Sequence, residues 1–331
     1  MSPAEDIKQK ALDLGFDLVG ITDAAPLDNK HFKILTDWLA FGYAGRMTYM
    51  RKSLDIRTNP AKLLKNAQSI ICVGLNYTPP QSYMSLRGLR SFMRSRPWQS
   101  HLQHITEPLG RVANYAQYED YHPFIKKQLR NLTEFVRSIT GPDFRYKICV
   151  DSAPLAERAL AARAGLGFIG KNHLLINPTL GPQLFLGEII TNLKLLTDQP
   201  IADTCSNCNL CTKACPTGAL RPDGQFDANK CISYLTIEYK GQIPDDLAKQ
   251  IGDRLFGCDQ CALACPFHNN APVCKNNKFK FHNNRAKLNL HQILNLTEES
   301  FQIKFADSPI KRLPLARLKR NAQICLTNIA S

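Results

Sequence analysis

Cys205-Ser206-Asn207-Cys208-Asn209-Leu210-Cys211-Thr212-Lys213-Ala214-Cys215-Pro216 spaces its thiols as C-x2-C-x2-C-x3-C and closes on proline. In this pattern three thiolates wrap one corner of an iron–sulfur cubane, while the fourth, turned away ahead of the proline, ligates a different cluster. A looser set follows, Cys231, Cys258, Cys261 and Cys265, closed by Pro266. The crossover assigns Cys205, Cys208, Cys211 and Cys265 to one [4Fe–4S] cluster, and Cys215, Cys231, Cys258 and Cys261 to the other. Structural zinc also uses C-x2-C pairs, but seldom three cysteines at this spacing followed by Cys-Pro. Two clusters a short hop apart form a wire for single electrons, and a wire needs an acceptor at its inner end.

Those eight come from twelve cysteines in 331 residues. Cys72, Cys149, Cys274 and Cys325 stand alone; the first two sit in apolar, β-leaning runs and read as small buried hydrophobes. The start, Met1-Ser2-Pro3-Ala4-Glu5-Asp6, carries no basic region followed by an apolar run, and no apolar stretch is long enough to span a bilayer. A cytoplasmic protein without membrane contact is expected, and in a reducing cytosol cysteines serve metal or redox chemistry, not disulfides. The 44% hydrophobic and 21% charged content exclude disorder, and the length allows one to three domains. A net charge of +14 points to a polyanionic partner, nucleic acid first.

Upstream of the cysteines, helical and strand patterns alternate. Helices are expected near 4–14, 29–41, 121–138 and from Pro154 to Ala164; strands near 17–22, 70–75, 146–150 and 185–192. The expected fold is α+β: an α/β body over 1–199, a bacterial-ferredoxin-like segment over 200–275, and a short basic helical region over 276–331. Gly165-Leu166-Gly167-Phe168-Ile169-Gly170 matches a dinucleotide-binding pattern in letters, but follows a helix instead of a strand, so that reading fails.

Beside the double cluster motif, Val150-Asp151-Ser152-Ala153-Pro154-Leu155-Ala156-Glu157-Arg158-Ala159 resembles the signature of the epoxyqueuosine reductase family. So do Arg163–Asn172, Gly110–Ala116 leading to Asp120-Tyr121-His122, Cys231–Thr236 and Phe256–Asp259. The resemblance implies a nitroreductase-like cobalamin-binding domain joined to the two-cluster module, and a reaction that reduces epoxyqueuosine to queuosine at the tRNA wobble position. It further implies Asp151 as proton donor. Cobalamin contacts are implied for Arg57, Ala113, Asp151, Lys171, Asn172, His173, Ser233 and Asp259. A nearby helix start favours ionised Asp151, whereas a general acid needs a raised pKa; burial against a corrin is expected to win. His173 is read as a hydrogen-bonded histidine in preference to a cobalt ligand. Asn114 and Tyr118 depart from the family pattern.

Residues 275–320 carry eleven Lys or Arg against three acids, and residues 81–106 add Arg87, Arg90, Arg94 and Arg96 with no acid. Phosphate contacts explain such an excess, while Tyr115, Tyr118, Tyr121, Tyr234 and Tyr239 are candidate stacking platforms. The expected partners are a tRNA anticodon stem-loop and a small electron-donor protein or reductase, with the chain acting as a monomer. The alternatives are a cobalamin-dependent reductive dehalogenase and a ferredoxin-type electron carrier. The first leaves the basic region unexplained, the second Asp151.

Overall fold

The computed structural model describes residues 2–80, 107–205 and 207–330, so the arginine-bearing stretch 81–106 lies outside the described residues. Ser2 and Glu5 form a capping box that starts α1 (Pro3–Asp13), with Pro3 in the first turn where its missing N–H is harmless. There follow β1 (Leu18–Asp23), α2 (Asn29–Ala40), β2 (Ser69–Asn76) and β3 (Leu109–Val112). Next come α3 (Tyr121–Thr140), β4 (Tyr146–Cys149), α4 (Glu157–Arg163) and β5 (Leu184–Thr191). β1, β2, β5 and β4 form an antiparallel sheet in that order. With no parallel pair in this sheet, the fold is α+β.

β2 is buried along its whole length because side-chain alternation feeds two cores. Ile71, Val73 and Leu75 meet Ile7, Ala11, Ile125 and Leu129 of α1 and α3 on one face. Ile70 and Cys72 meet Leu160, Ala161 and Ala164 around α4 on the other. The helix expected from Pro154 starts three residues later, at Glu157, because 151–154 are taken up by bends.

Between and beyond the later cysteines, α5 (Ile232–Ile237), β6 (Arg254–Phe256), β7 (Lys287–Asn289), α6 (Leu290–Leu294) and α7 (Leu315–Ala330) share a second core. The region expected to be helical from 276 thus includes a short strand. β3 is the centre of a three-stranded sheet, parallel to β6 and antiparallel to β7. That sheet ties the N-terminal body to both later segments. α7 is clasped onto α5: Arg320 donates to the carbonyls of Leu235, Tyr239 and Gly241, and fully buried Asn321 donates to Thr236 and Leu255. Among the described residues no helix is long and apolar enough to cross a membrane.

Candidate active site

β4 delivers the chain to Asp151, which takes φ +54°, a left-handed conformation uncommon outside glycine. The N-cap of α4 is Ala156, without a side-chain cap, so Asp151 does not serve as a helix cap. Opposite it, Asp120 caps α3 by accepting the His122 N–H, which sets Tyr121 and His122 in the first turn facing the loop. The Tyr121 hydroxyl donates to Asp151 Oδ2 at 2.9 Å, and His122 Nε2 lies 3.0 Å from the same oxygen. His122 Nδ1 faces Asp120 Oδ1 at 3.3 Å, while Arg312 Nη2 donates to Asp120 at 2.5 Å and Arg312 Nη1 stands 3.0 Å from His122 Nε2.

The protein's own groups around Asp151 act to lower the pKa of its carboxyl. Crowding by protein pushes Asp151 up, but the hydrogen bonds from His122 and Tyr121 outweigh it, helped by the charges of His122 and Arg312, and its pKa falls below the usual value. Burial alone would lower His122; its bonds to Asp120 and Asp151 outweigh burial and the Arg312 charge, and its pKa rises. With Nδ1–H turned to Asp120, one proton lies between Asp151 Oδ2 and His122 Nε2, resting on the imidazole. The Arg312 cation beside that nitrogen opposes its protonation.

An aromatic wall flanks the carboxylate. Tyr121 stacks on Phe185 at 4.3 Å, Tyr115 stands edge-on to both, and Tyr77 packs on Phe185 at 4.4 Å. Behind it, the Asn114 N–H donates to Asp259 Oδ2 at 2.6 Å, and burial raises the Asp259 pKa to about 6. Ala113 is held by its N–H to Phe256, and Gly257, at φ +72°, approaches so closely that a Cβ would lie 2.7 Å from that of Ala113. Asn114 Nδ2, Gln117 Oε1, Thr78 Oγ1, Arg57 Nε and both amide atoms of Gln183 are buried without a partner among the described residues. Unpaired buried groups each cost about 1–3 kcal/mol, so their number here suits a large ligand with an amide-rich rim, as a corrinoid has.

The thiols gather in two places. Cys205, Cys208, Cys211 and Cys265 line a cavity of about 230 Å³, with Asn172, Ile176 and Phe267 among the other walls. Burial raises the Cys211 and Cys265 thiols, and neighbouring thiolates of that same set push them further. Cys231 is raised by burial to about 11, with Cys258 and Cys215 adding; Cys261 is raised by burial and then by Cys231, Cys258 and Cys215. Among the described residues no three His, Cys, Asp or Glu side chains converge to hold a single metal ion. Thiols standing round a cavity fit a multi-atom cluster better than one zinc. Their mutual repulsion is the condition a bound cationic centre relieves.

Lys171 donates to the Cys208 carbonyl at 2.9 Å, and buried Asn172 reaches the Cys261 carbonyl at 3.4 Å, so both stitch the body to the cysteine segment. His173, at φ +59°, places Nε2 3.2 Å from the Gly224 carbonyl, and burial lowers its pKa. The Ser233 N–H points at the Cys231 sulfur. Arg57 donates to the Leu155 carbonyl at 3.1 Å and braces the Asp151 loop. Tyr118 is buried, stacked on Phe279 at 4.9 Å, and Tyr234 is buried with its hydroxyl accepting the Arg46 N–H; neither is a surface platform.

The sequence reading passed over His122 as a partner of Asp151, and Arg312, Glu157 and Glu188 altogether. The Asp-Tyr-His order at the start of a helix pattern was the available signal for His122; the others meet only through tertiary folding. The C-terminal charge also needs correction. Arg285, buried, pairs with Asp307; Arg312 with Asp120; Arg317 with the Ile237 carbonyl; and Arg320 with three carbonyls. The arginines thus work inside the fold. Lys275, Lys278, Lys280, Lys287, Lys304 and Lys311 are the exposed lysines of that region, and Arg312 is exposed as well but held by Asp120.

Residues 57–152 match a family model described as epoxyqueuosine reductase QueG, DUF1730, and residues 204–268 match a 4Fe-4S double cluster binding domain. The chain is 35% identical over 326 residues to the epoxyqueuosine reductase of Vibrio cholerae, covering 98% of this chain and 83% of that protein. It is 36% identical to that of Pseudomonas aeruginosa, covering 99% of this chain and 86% of the relative. A solved epoxyqueuosine reductase with a tRNA-Tyr epoxyqueuosine-modified stem loop superposes with a TM-score of 0.83 at 31% identity, covering 98% of this chain and 80% of that one. A Bacillus subtilis epoxyqueuosine reductase, solved with its catalytic aspartate loop swung out of the active site, gives a TM-score of 0.83 at 31% identity, over 98% of this chain and 81% of that one.

Proposed function

This chain belongs to the epoxyqueuosine reductase family, and on that premise we propose that it removes the epoxide oxygen of epoxyqueuosine at the wobble position of a tRNA anticodon, giving queuosine. The observation that carries the reading is Asp151, set on a strained turn beside an aromatic wall and hydrogen-bonded to a proton-bearing histidine. Reduction of an epoxide to an alkene and water consumes two electrons and two protons. Arg57, Ala113, Asn172 and Asp259 are among the residues that would hold cobalamin, which would supply low-potential electrons received singly from two [4Fe–4S] clusters.

The chain's own task is the proton. As the oxygen departs, the proton on His122 Nε2 passes to Asp151 Oδ2 and from there to the oxygen. Tyr121 fixes the carboxylate, and Arg312 makes the imidazole a willing donor by opposing its charge. The second proton comes from water, since the Asp151 side chain keeps 57% of its surface accessible. Lys171 and Asn172 hold the electron path in register with the catalytic body. The exposed lysines from Lys275 to Lys311 supply phosphate contacts for the stem-loop, and Tyr115 and Tyr121 are the aromatic faces nearest the acid. Residues 1–199 are the catalytic unit, 200–275 the cluster unit and 276–331 the basic unit of a cytoplasmic monomer served by a small electron-donor protein.

The deciding experiment supplies protein reconstituted with iron, sulfide and cobalamin with a strong reductant and an anticodon stem-loop bearing epoxyqueuosine. Queuosine is the expected product by mass spectrometry of the digested RNA. No conversion, with stoichiometric clusters and corrin bound, would overturn the reading.

A further inference from the structure

Glu188 lies at the centre of β5 with no exposed surface, paired in register with Cys72 on β2 and Cys149 on β4. It points to the face covered by α4, where its neighbours Leu186 and Ile190 are apolar core. Neither of its carboxyl oxygens receives a hydrogen bond from any N–H or O–H among the described residues. A buried carboxylate in that state would cost several kcal/mol. Its one polar neighbour within hydrogen-bonding reach is another carboxyl, Glu157 in the first turn of α4. Two carboxylates cannot hydrogen-bond to each other unless one carries a proton.

Glu157 has a second engagement. Its Oε1 accepts the backbone N–H of Asp151 at 2.5 Å. That N–H belongs to the residue with the left-handed φ, a conformation that costs about 1–3 kcal/mol and persists only when held from outside. Asp151 is thus fixed at both ends: its side chain by Tyr121 and His122, its backbone by Glu157, which itself rests on Glu188 in the core.

We propose that Glu157 and Glu188 share one proton and form a latch that holds the Asp151 loop in its working position. They are positioning residues; neither touches the substrate. The latch explains why a carboxyl stands in the middle of an otherwise apolar sheet face. The groups facing the pair are the thiols of Cys72 and Cys149, the Asp151 carboxylate, and the guanidinium groups of Arg57, Arg158 and Arg163. Those arginines are bonded elsewhere, Arg57 to the Leu155 carbonyl, Arg158 to the His173 carbonyl and Arg163 to Thr22 and Asp23. Among the described residues no cation therefore bonds to the pair, and burial together with mutual repulsion holds both pKa values above the ordinary carboxyl range. As pH rises far enough to remove the shared proton, two buried anions beside Asp151 repel, and the loop is released.

The role of the loop in turnover rests on the proposed reduction; the latch itself does not, and its test is built to separate the two. On the holoenzyme, infrared spectra should contain the C=O stretch of a protonated buried carboxylic acid, absent from Glu188→Gln. Amide exchange of peptides spanning 150–156, corrected for intrinsic pH dependence, should accelerate at high pH in the wild type. It should stay slow in Glu188→Gln, whose amide donates permanently to Glu157. Glu157→Ala, in the first turn of a helix that tolerates alanine, should expose the loop about tenfold at all pH values and lower kcat about tenfold with KM for the stem-loop unchanged. Absence of the carboxylic acid band, or unchanged exchange in both variants, overturns the latch. Faster exchange in Glu157→Ala with normal kcat leaves the latch in place and instead removes Asp151 from the chemistry.

Discussion

At the scale of single residues, what matters is where one proton rests. Asp151 is held below its ordinary pKa, so its contribution to stability is present above about pH 3.8 and is lost as pH falls through the lowered folded value. His122 is held above its ordinary 6.5, so its contribution is complete below that pH and disappears as pH rises through the raised folded value. The ion pair therefore stabilises most between about pH 4 and 6.5. Catalysis that draws on the imidazolium should likewise decline on the alkaline side. Asp151→Asn is expected to lower kcat about 100-fold or more, the usual contribution of a positioned acid, and His122→Gln to flatten the alkaline fall while reducing kcat by a smaller factor; stopped-time assays across pH check both. Asp151 was legible because its sequence neighbours carry a family signature. Arg312 was not, since a basic residue in an amphipathic run gives no sign that it will reach an aspartate 192 positions away.

At the scale of elements, periodicity placed the four strands of the antiparallel sheet and α1, α2 and α3 within a residue or two, because α3, β2 and β5 bury continuous or regularly spaced apolar positions, but it missed the short β3. The start of α4 was misplaced for a local reason. Its signal was Pro154, but a left-handed residue and successive bends occupy 151–154, and that irregularity is the part that presents the acid. The clasp of α7 was invisible for the opposite reason: Arg320 and Asn321 look like solvent-facing residues until α5 is laid beneath them. Arg320→Met should keep the packing of the stem but leave the carbonyls of Leu235, Tyr239 and Gly241 unpaired. A loss of about 2–3 kcal/mol is expected, read as a lowered midpoint in denaturant melts of the reconstituted protein.

At the scale of the whole molecule, charge divides by residue type. The arginines of 285–320 are bonded within the fold, and six of the seven lysines from 275 to 319 face solvent. Replacing Lys275, Lys278 and Lys280 together with Gln should weaken stem-loop binding and reduce its log–log salt slope by about 2–3, without altering the melting midpoint. Arg312→Gln should do the reverse, leaving the salt slope and damaging turnover. The cluster cysteines were readable from spacing alone, because ligation of a compact inorganic cube leaves the chain little freedom between thiols. The surroundings proposed for the corrin were not, since backbone N–H groups and orphaned amides carry no pattern. The three-stranded sheet has a temporal consequence. Its strands end at positions 112, 256 and 289, and Arg312 comes later still. A chain emerging from the ribosome therefore carries all eight clustered cysteines before it has made Arg312, and the ion-pair set around Asp151 can close only after the last strand of that sheet has been synthesised.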